Sequence, residues 1–241
     1  YNSSGILTGN NINYKLLFNQ NQITRGSGVN GKLGVIFRPV SNFRVGATLQ
    51  TPTWFVIDDS YTENLDNKGT IRGTSETSTY DFTYNLRTPL KGSLGASYII
   101  AGQAIVSADV DYVDYASMKF SSNNGGNNNV SIENNRDVRN SYKGAVNFRV
   151  GAEYKIDALN IRAGYGVNGS PYKSDNNGVY DTKMYSGGIG YRINSYYIDL
   201  AYQRVDGINN LSPYTLNNMS EPVANIKNTK ENIFLTLGLR F

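Results

Sequence analysis

Two arginines, Arg149 and Arg162, and the carboxylates near them, Asp109, Asp111 and Glu153, are the side chains of this chain best suited to bind a charged ligand. Each takes alternate positions of a segment whose other positions are mainly apolar, so a strand would carry them all on one side. Two guanidiniums so placed can hold a carboxylate through paired N–H donors. The same set can also neutralise itself, because opposite charges on neighbouring strands attract by roughly 0.2–1 kcal/mol per pair. Other chemistry is narrowed by composition. Cysteine and histidine are both absent, which removes a thiol nucleophile, a disulfide framework, a Cys/His metal site and a Ser-His-Asp triad. Asp58, Asp59, Glu63 and Asp66 cluster in sequence but lack the regular spacing of a calcium loop. Gly26-Ser27-Gly28-Val29-Asn30-Gly31 fits G-x-G-x-x-G, yet it leads into a strand pattern where a dinucleotide site needs a helix. The net charge is +4 without a Lys/Arg block to track phosphates, so nucleic acid is not an expected partner. No catalytic residue, metal or cofactor is expected, and the chain does not read as an enzyme.

The elements that would position these side chains are strands. Leu33, Val35 and Phe37 alternate with Lys32, Gly34, Ile36 and Arg38; Val45, Ala47 and Leu49 alternate with Arg44, Gly46 and Thr48. The pattern recurs over 104–115, 143–156, 159–167, 183–193 and 196–204, and residues 80–100 read as one long strand, or two collinear ones, interrupted at Thr88-Pro89. Residues 131–141 carry a weak helical pattern. Connections at 39–42, 101–103, 157–158 and 194–195 are short, whereas those at about 54–79, 116–142, 168–181 and 205–229 are long and polar. Short turns alternating with long loops are the layout of a transmembrane barrel. Only 39% of residues are hydrophobic and mean hydropathy is −0.43. A barrel tolerates this, because only alternate residues touch lipid; a secreted β-sandwich shares much of the composition. Trp54 and Phe55 lie in an apolar cluster at a strand end, where tryptophan commonly anchors a barrel at the lipid interface. The last strand places Ile233, Leu235, Leu237, Leu239 and Phe241 on one side, with Phe234 pointing to the other.

A terminal aromatic closing an alternating strand resembles the C-terminal sorting signal of bacterial outer-membrane barrels. Further segments carry a wider resemblance: GKLGVIFRPVSNFRVGATLQTPTW (31–54), YNLRTPLKGSLGASYII (84–100), IVSADVDYVDYASMKF (105–120), NFRVGAEYKIDALNIRAGYGVNGSPY (147–172) and FLTLGLRF (234–241). In this order they resemble the FadL/TodX family of outer-membrane transporters of hydrophobic compounds, in the form found in Bacteroidota. The resemblance implies an all-β fold, an antiparallel transmembrane β-barrel that has 14 strands and an N-terminal plug in the family. The period-2 segments supply about 9–10 strands here. The expected reading is therefore the C-terminal portion of a longer protein, with 1–27 as an extracellular loop or hairpin remnant and 28–241 as barrel. No leader precedes Tyr1, so the N-terminus is expected to be processed or truncated. The resemblance implies passive uptake of hydrophobic small molecules, such as long-chain fatty acids or aromatic hydrocarbons, in the bacterial outer membrane. The alternative is a FadL-like barrel acting as scaffold or shuttle subunit of a larger complex, a PorV-like component of protein secretion or assembly. Candidate ligand-binding residues are Trp54, Phe55, Arg149, Arg162 and Phe234, and Phe241 is the candidate assembly signal. Expected partners are membrane lipids, a hydrophobic ligand, the barrel-assembly machinery and other outer-membrane proteins.

Overall fold

The computed structural model describes residues 2–9, 12–67, 76–123, 128–212 and 222–239. Strands dominate: β1 (Asn2–Gly9), β2 (Ile12–Val29), β3 (Lys32–Val40), β4 (Phe43–Gln50), β5 (Trp54–Asn67), β6 (Glu76–Arg87), β7 (Lys91–Ile100), β8 (Ala104–Asp114), β9 (Lys119–Ser122), then helix α1 (Asn129–Ser141), β10 (Gly144–Ile156), β11 (Leu159–Asn168), β12 (Thr182–Ile193), β13 (Tyr196–Leu211) and β14 (Ala224–Leu239). No helix among the described residues is long and apolar enough to cross a membrane.

The strands form two sheets, a larger one of nine in the order β14-β13-β12-β11-β10-β8-β7-β4-β3 and a smaller one of five in the order β1-β2-β5-β6-β9. Strand neighbours pair antiparallel throughout. The chain also divides into two compact units, 1–30 with 53–88 and 119–135, and 31–52 with 89–118 and 136–241. The nine strands of the larger sheet are those that the alternating pattern marks in the sequence. The long segment at 80–100 is two strands, β6 and β7, which belong to different sheets. Pro52 and Pro89 help to set these changes of sheet, because neither can donate to a ladder. Local hydrogen bonds replace the lost ones. Thr53 N–H donates to Thr88 Oγ1 at 2.8 Å, and Gly31 N–H donates to Thr51 Oγ1 at 2.9 Å. A 3-10 turn at Tyr115–Ser117 makes the corresponding break after β8.

The smaller sheet overturns the expectation of a long loop over 54–79. Its apolar alternation fails because polar pairs take the place of apolar ones. Gln22 and Thr24 donate to Asp59 at 2.8 and 2.9 Å, Thr83 donates to Asp58 at 2.8 Å, and Asn64 donates to Thr77 at 2.9 Å. The first 27 residues hold β1 and most of β2, so the expected division at 27/28 falls within a strand. Likewise β13 and β14 run further into 205–229 than the polar sequence indicates, pairing to Leu211↔Ala224.

The short turns match the expected positions. Asp157 and Asn194 take left-handed φ values of 52° and 50°, which Asp and Asn tolerate in two-residue hairpins. Helix α1 covers the expected helical stretch. Asn128 caps it, accepting from Ser131 N–H at 2.8 Å while Asn128 N–H donates to Ser131 Oγ at 2.9 Å. Buried Asn135 pairs with the backbone of β9, accepting from Phe120 N–H at 2.7 Å and donating to Phe120 C=O at 2.8 Å. This covers part of an edge that would otherwise present unpaired groups.

The larger sheet has two unlike faces. Tyr154, Ile161, Ile189, Leu200 and Leu235 stand opposite one another across five strands, and they are 45–63% exposed. An apolar surface of this extent left uncovered is suited to lipid. The other face carries the charged row Glu153, Arg162, Gly188, Ala201 and Phe234.

Candidate functional site

The charged face is held together by ion pairs that run across strands. Arg149 on β10 stands opposite Asp109 on β8. Its NH2 lies 2.6 Å from Asp109 Oδ1 and 2.6 Å from Asp111 Oδ2, and Asp111 also takes Lys91 Nζ at 2.8 Å. Asp111 is the most buried of these groups, 2% exposed. Arg162 on β11 donates to Glu153 Oε2 on β10 and to Asp199 Oδ1 on β13, both at 2.5 Å. Further along, Arg204 lies 2.9 Å from Asp206 and 3.8 Å from Glu231.

Glycines make this reach possible. Asp199 is two strands from Arg162, with β12 between them. Gly190 on β12 faces Asp199, and a Cβ there would collide with Asp199 Oδ1 and approach Arg162 NH1 to 3.3 Å. A Cβ at Gly166 would meet Arg149 Cγ and Met184 Cε at 3.0 Å. The guanidiniums therefore lie flat across positions that lack side chains, which a sheet allows where backbone must be approached closely.

Charge accounting shapes what this face can bind. Lys91 and Arg149 balance Asp109 and Asp111. Arg162 faces two carboxylates alone, as does Arg204. Arg149 and Arg162 are thus brought together on one face as the sequence indicates, and each is already engaged by two carboxylates. A ligand carboxylate would have to displace one of them. The geometry has the form of a charge ladder, the second of the two roles open at the level of sequence.

The other candidates separate. Trp54 and Phe55 are successive residues of β5 and so point to opposite faces of the smaller sheet. Trp54 is 51% exposed; the Phe55 ring covers Gly28, where an added Cβ would lie 2.6 Å from Phe55 Cδ1. Phe55, Leu86 and Phe120 share one row. Phe234 is opposite Ala201 on the charged face of the larger sheet, 52% exposed. Phe241 lies outside the described residues. Sequence reading did not pair Lys91 with Asp111 or Asp199 with Arg162. The signal for the second pairing was present in the glycines at 188 and 190, which mark an uncovered lane between the two partners.

At one end of the larger sheet, the loop 169–181 is tied down by a buried carboxylate. Asp175 accepts from the N–H groups of Val179 and Tyr180, both at 2.9 Å. Burial works against its ionisation, but those two N–H groups, the Ser170 hydroxyl and the Asn177 N–H outweigh it and hold the carboxyl below the usual aspartate range. Tyr172 packs between Tyr142 and Tyr180, with centroids at 5.5 and 5.8 Å. The described residues hold no group of His, Cys, Asp and Glu that could bind a metal ion.

Residues 7–232 match the profile of the family described as outer membrane protein transport protein (OMPP1/FadL/TodX). Two crystal structures of the Pseudomonas putida toluene transporter TodX are similar to the chain. One has a TM-score of 0.59 at 15% identity, over 95% of this chain and 54% of that one. The other has a TM-score of 0.55 at 14% identity, over 95% of this chain and 65% of that one. The chain thus spans between 54% and 65% of the length of these solved proteins. Comparison with curated protein sequences gives no match. At this identity the structural likeness establishes the fold, that of an antiparallel transmembrane β-barrel. With the family profile covering most of its length, the chain belongs to the FadL/TodX family of outer-membrane transport proteins, which are channels of the outer membrane and not enzymes.

Proposed function

We propose that the protein takes up hydrophobic small molecules passively across the bacterial outer membrane, with long-chain fatty acids or aromatic hydrocarbons as the substrate class. The observation that carries this reading is the asymmetry of the larger sheet in a chain of this family. One face offers exposed Ile161, Ile189, Leu200 and Leu235 to lipid, and the other carries glycines, hydroxyls and ion-paired charges that suit a lumen. Transport of this kind needs no nucleotide or metal. The edge strands β14 and β3 have no partner strand among the described residues. Open edges are not tolerated in lipid, which supports reading the chain as the C-terminal portion of a longer barrel. The segments quoted above support the Bacteroidota form. Uptake of a radiolabelled long-chain fatty acid by cells with and without the protein tests the reading. Faster uptake with the protein is the expected result. Equal uptake, together with a stable protein partner recovered on the barrel, would replace transport with the scaffold or shuttle role.

Phe241 is proposed as the residue read by the barrel-assembly machinery, because it ends the lipid-facing set of the last strand. Phe241→Ala should lower the amount of heat-modifiable barrel in the outer membrane. Normal barrel levels with lost uptake would assign Phe241 to transport instead.

A further inference from the structure

One row of the smaller sheet combines the tryptophan with two cations. Val29 on β2, Trp54 on β5, Arg87 on β6 and Lys119 on β9 stand opposite one another in that order, so their side chains share one face. Val29 is 69% and Trp54 51% exposed, and both cations are exposed. The other face is packed on itself at this level. There the Phe55 ring covers Gly28, and Phe120 meets Tyr84 with centroids at 6.0 Å.

The charge of this row is not balanced locally. Among the described residues no carboxylate lies within ion-pair distance of Lys119. The next row on the same face, Ser27, Val56, Asn85 and Ser121, is uncharged. The nearest carboxylate along β5 on this face is Asp58, which stands opposite Arg25 and accepts from Thr83 at 2.8 Å. The row also marks a particular place along the chain. β2 ends at Val29 just before β3 begins at Lys32, β5 begins at Trp54 just after β4 ends at Gln50, and β6 ends at Arg87 just before β7 begins at Lys91. Short turns close the opposite ends of the β3–β4 and β7–β8 pairs. In the layout of outer-membrane barrels such turns are periplasmic, which puts the row at the outer ends of these strands. Strand ends of this kind fall in the headgroup zone, where tryptophan is enriched.

We propose that this row binds the phosphate-bearing headgroup of an outer-leaflet lipid. The Arg87 guanidinium offers a planar fork with donors enough to hold a phosphate beside another partner, and the Lys119 ammonium adds a point charge. Two cations suit a phosphate monoester better than a singly charged group. The Trp54 indole, with Val29 and Val56, lies against the first carbons of the acyl chains. A polar headgroup, not hydrocarbon, then covers this end of the sheet, and the polar pairs further along stay in water. The site seats the barrel in its membrane and is independent of what the barrel carries.

The test is binding of diphosphoryl lipid A, whose sugar headgroup carries phosphate monoesters, to the full-length protein folded in neutral detergent. The Arg87→Gln/Lys119→Gln double variant should bind it about tenfold more weakly or worse, by loss of charge-assisted contacts. Trp54→Ala should weaken diphosphoryl and monophosphoryl lipid A alike, because it removes packing and no charge. Wild type should hold the monophosphoryl form less tightly, and excess inorganic phosphate should not displace the lipid. Lys155→Gln, a charge removed from the larger sheet, should bind as wild type does. Unchanged affinity in the double variant, with heat-modifiable barrel levels matched, would overturn the site and leave Lys119 as a charge that blunts an edge strand. An equal loss in Lys155→Gln would overturn it as a general effect of charge. Displacement by inorganic phosphate would replace the headgroup with a free anion, and no binding by wild type would overturn the site outright.

Discussion

The larger and smaller sheets are built by the same antiparallel pairing, yet they divide their side chains by different rules. In the larger sheet, apolar and charged residues alternate strictly along β10 and β11, from Val150, Ala152 and Ile161 on one side to Arg149, Glu153 and Arg162 on the other. In the smaller sheet, polar side chains pair on both faces. Thr62 and Thr79 meet at 3.3 Å on one, and Thr24 reaches Asp59 at 2.9 Å on the other. The difference teaches what each sheet is solvated by. Lipid on one side enforces period-2 segregation, because an unpaired polar group in hydrocarbon is costly. Water on both sides removes that demand and leaves hydrogen-bonded polar pairs to hold the strands.

Breaking the segregation should have the largest effect. Leu200→Arg places a charge on the apolar face of β13 and should cost about 2–4 kcal/mol if the position lies near the bilayer midplane. Thr79→Arg on the smaller sheet should stay within about 0.5 kcal/mol, as for ordinary surface changes. Urea unfolding from lipid vesicles measures both. Similar losses at the two sites would erase the distinction between the sheets.

The two faces of β12 sharpen the comparison on a finer scale. Gly190→Ala drives a methyl group into Asp199 and loosens its pairing with Arg162, for an expected cost of about 1–3 kcal/mol. Gly187 lies on the opposite face, where the nearest atom to an added Cβ is the Arg162 carbonyl at 3.9 Å. Gly187→Ala should therefore be neutral within about 0.5 kcal/mol. Equal costs would show that these glycines serve strand geometry alone, without clearing a path for the ladder.

The smallest expected effect is local and depends on pH. The carboxyl of Asp175 is held below its ordinary range by the bonds from Tyr180, Val179, Ser170 and Asn177, against the opposing effect of burial. A depressed folded-state value means that the stabilisation is present above the unfolded value, about 3.9, and is lost as pH falls through the lower folded value. The amides of Val179 and Tyr180 should thus be protected from hydrogen exchange at pH 5 and lose protection toward pH 2, after correction for intrinsic rates. Constant protection across that range would remove Asp175 as the tie of this loop.

How much of this was legible follows from the same comparison. The nine strands of the larger sheet were readable because lipid forces the alternation into the sequence. Residues 54–79 read as loop, because Asp58, Asp59, Thr62 and Asn64 find their partners in Thr83, Thr24, Thr79 and Thr77 on neighbouring strands without leaving an apolar period. In the candidate site, the pairing of Arg149 with Asp109 and Asp111 follows from strand adjacency. The reach of Arg162 to Asp199 depends on register across an intervening strand, and adjacency alone does not supply it.

The central claim is that one face of the larger sheet meets lipid and the other does not. The chain has no cysteine, so single spin labels can be introduced without background. Labels at 198–203 on β13 would be compared for collision with oxygen, which partitions into lipid, and with a water-soluble nickel chelate. The account predicts that Ile198, Leu200 and Tyr202 favour oxygen and that Asp199, Ala201 and Gln203 favour nickel, alternating residue by residue. Accessibility that is uniform along these six positions, or that favours nickel at Leu200, would contradict it.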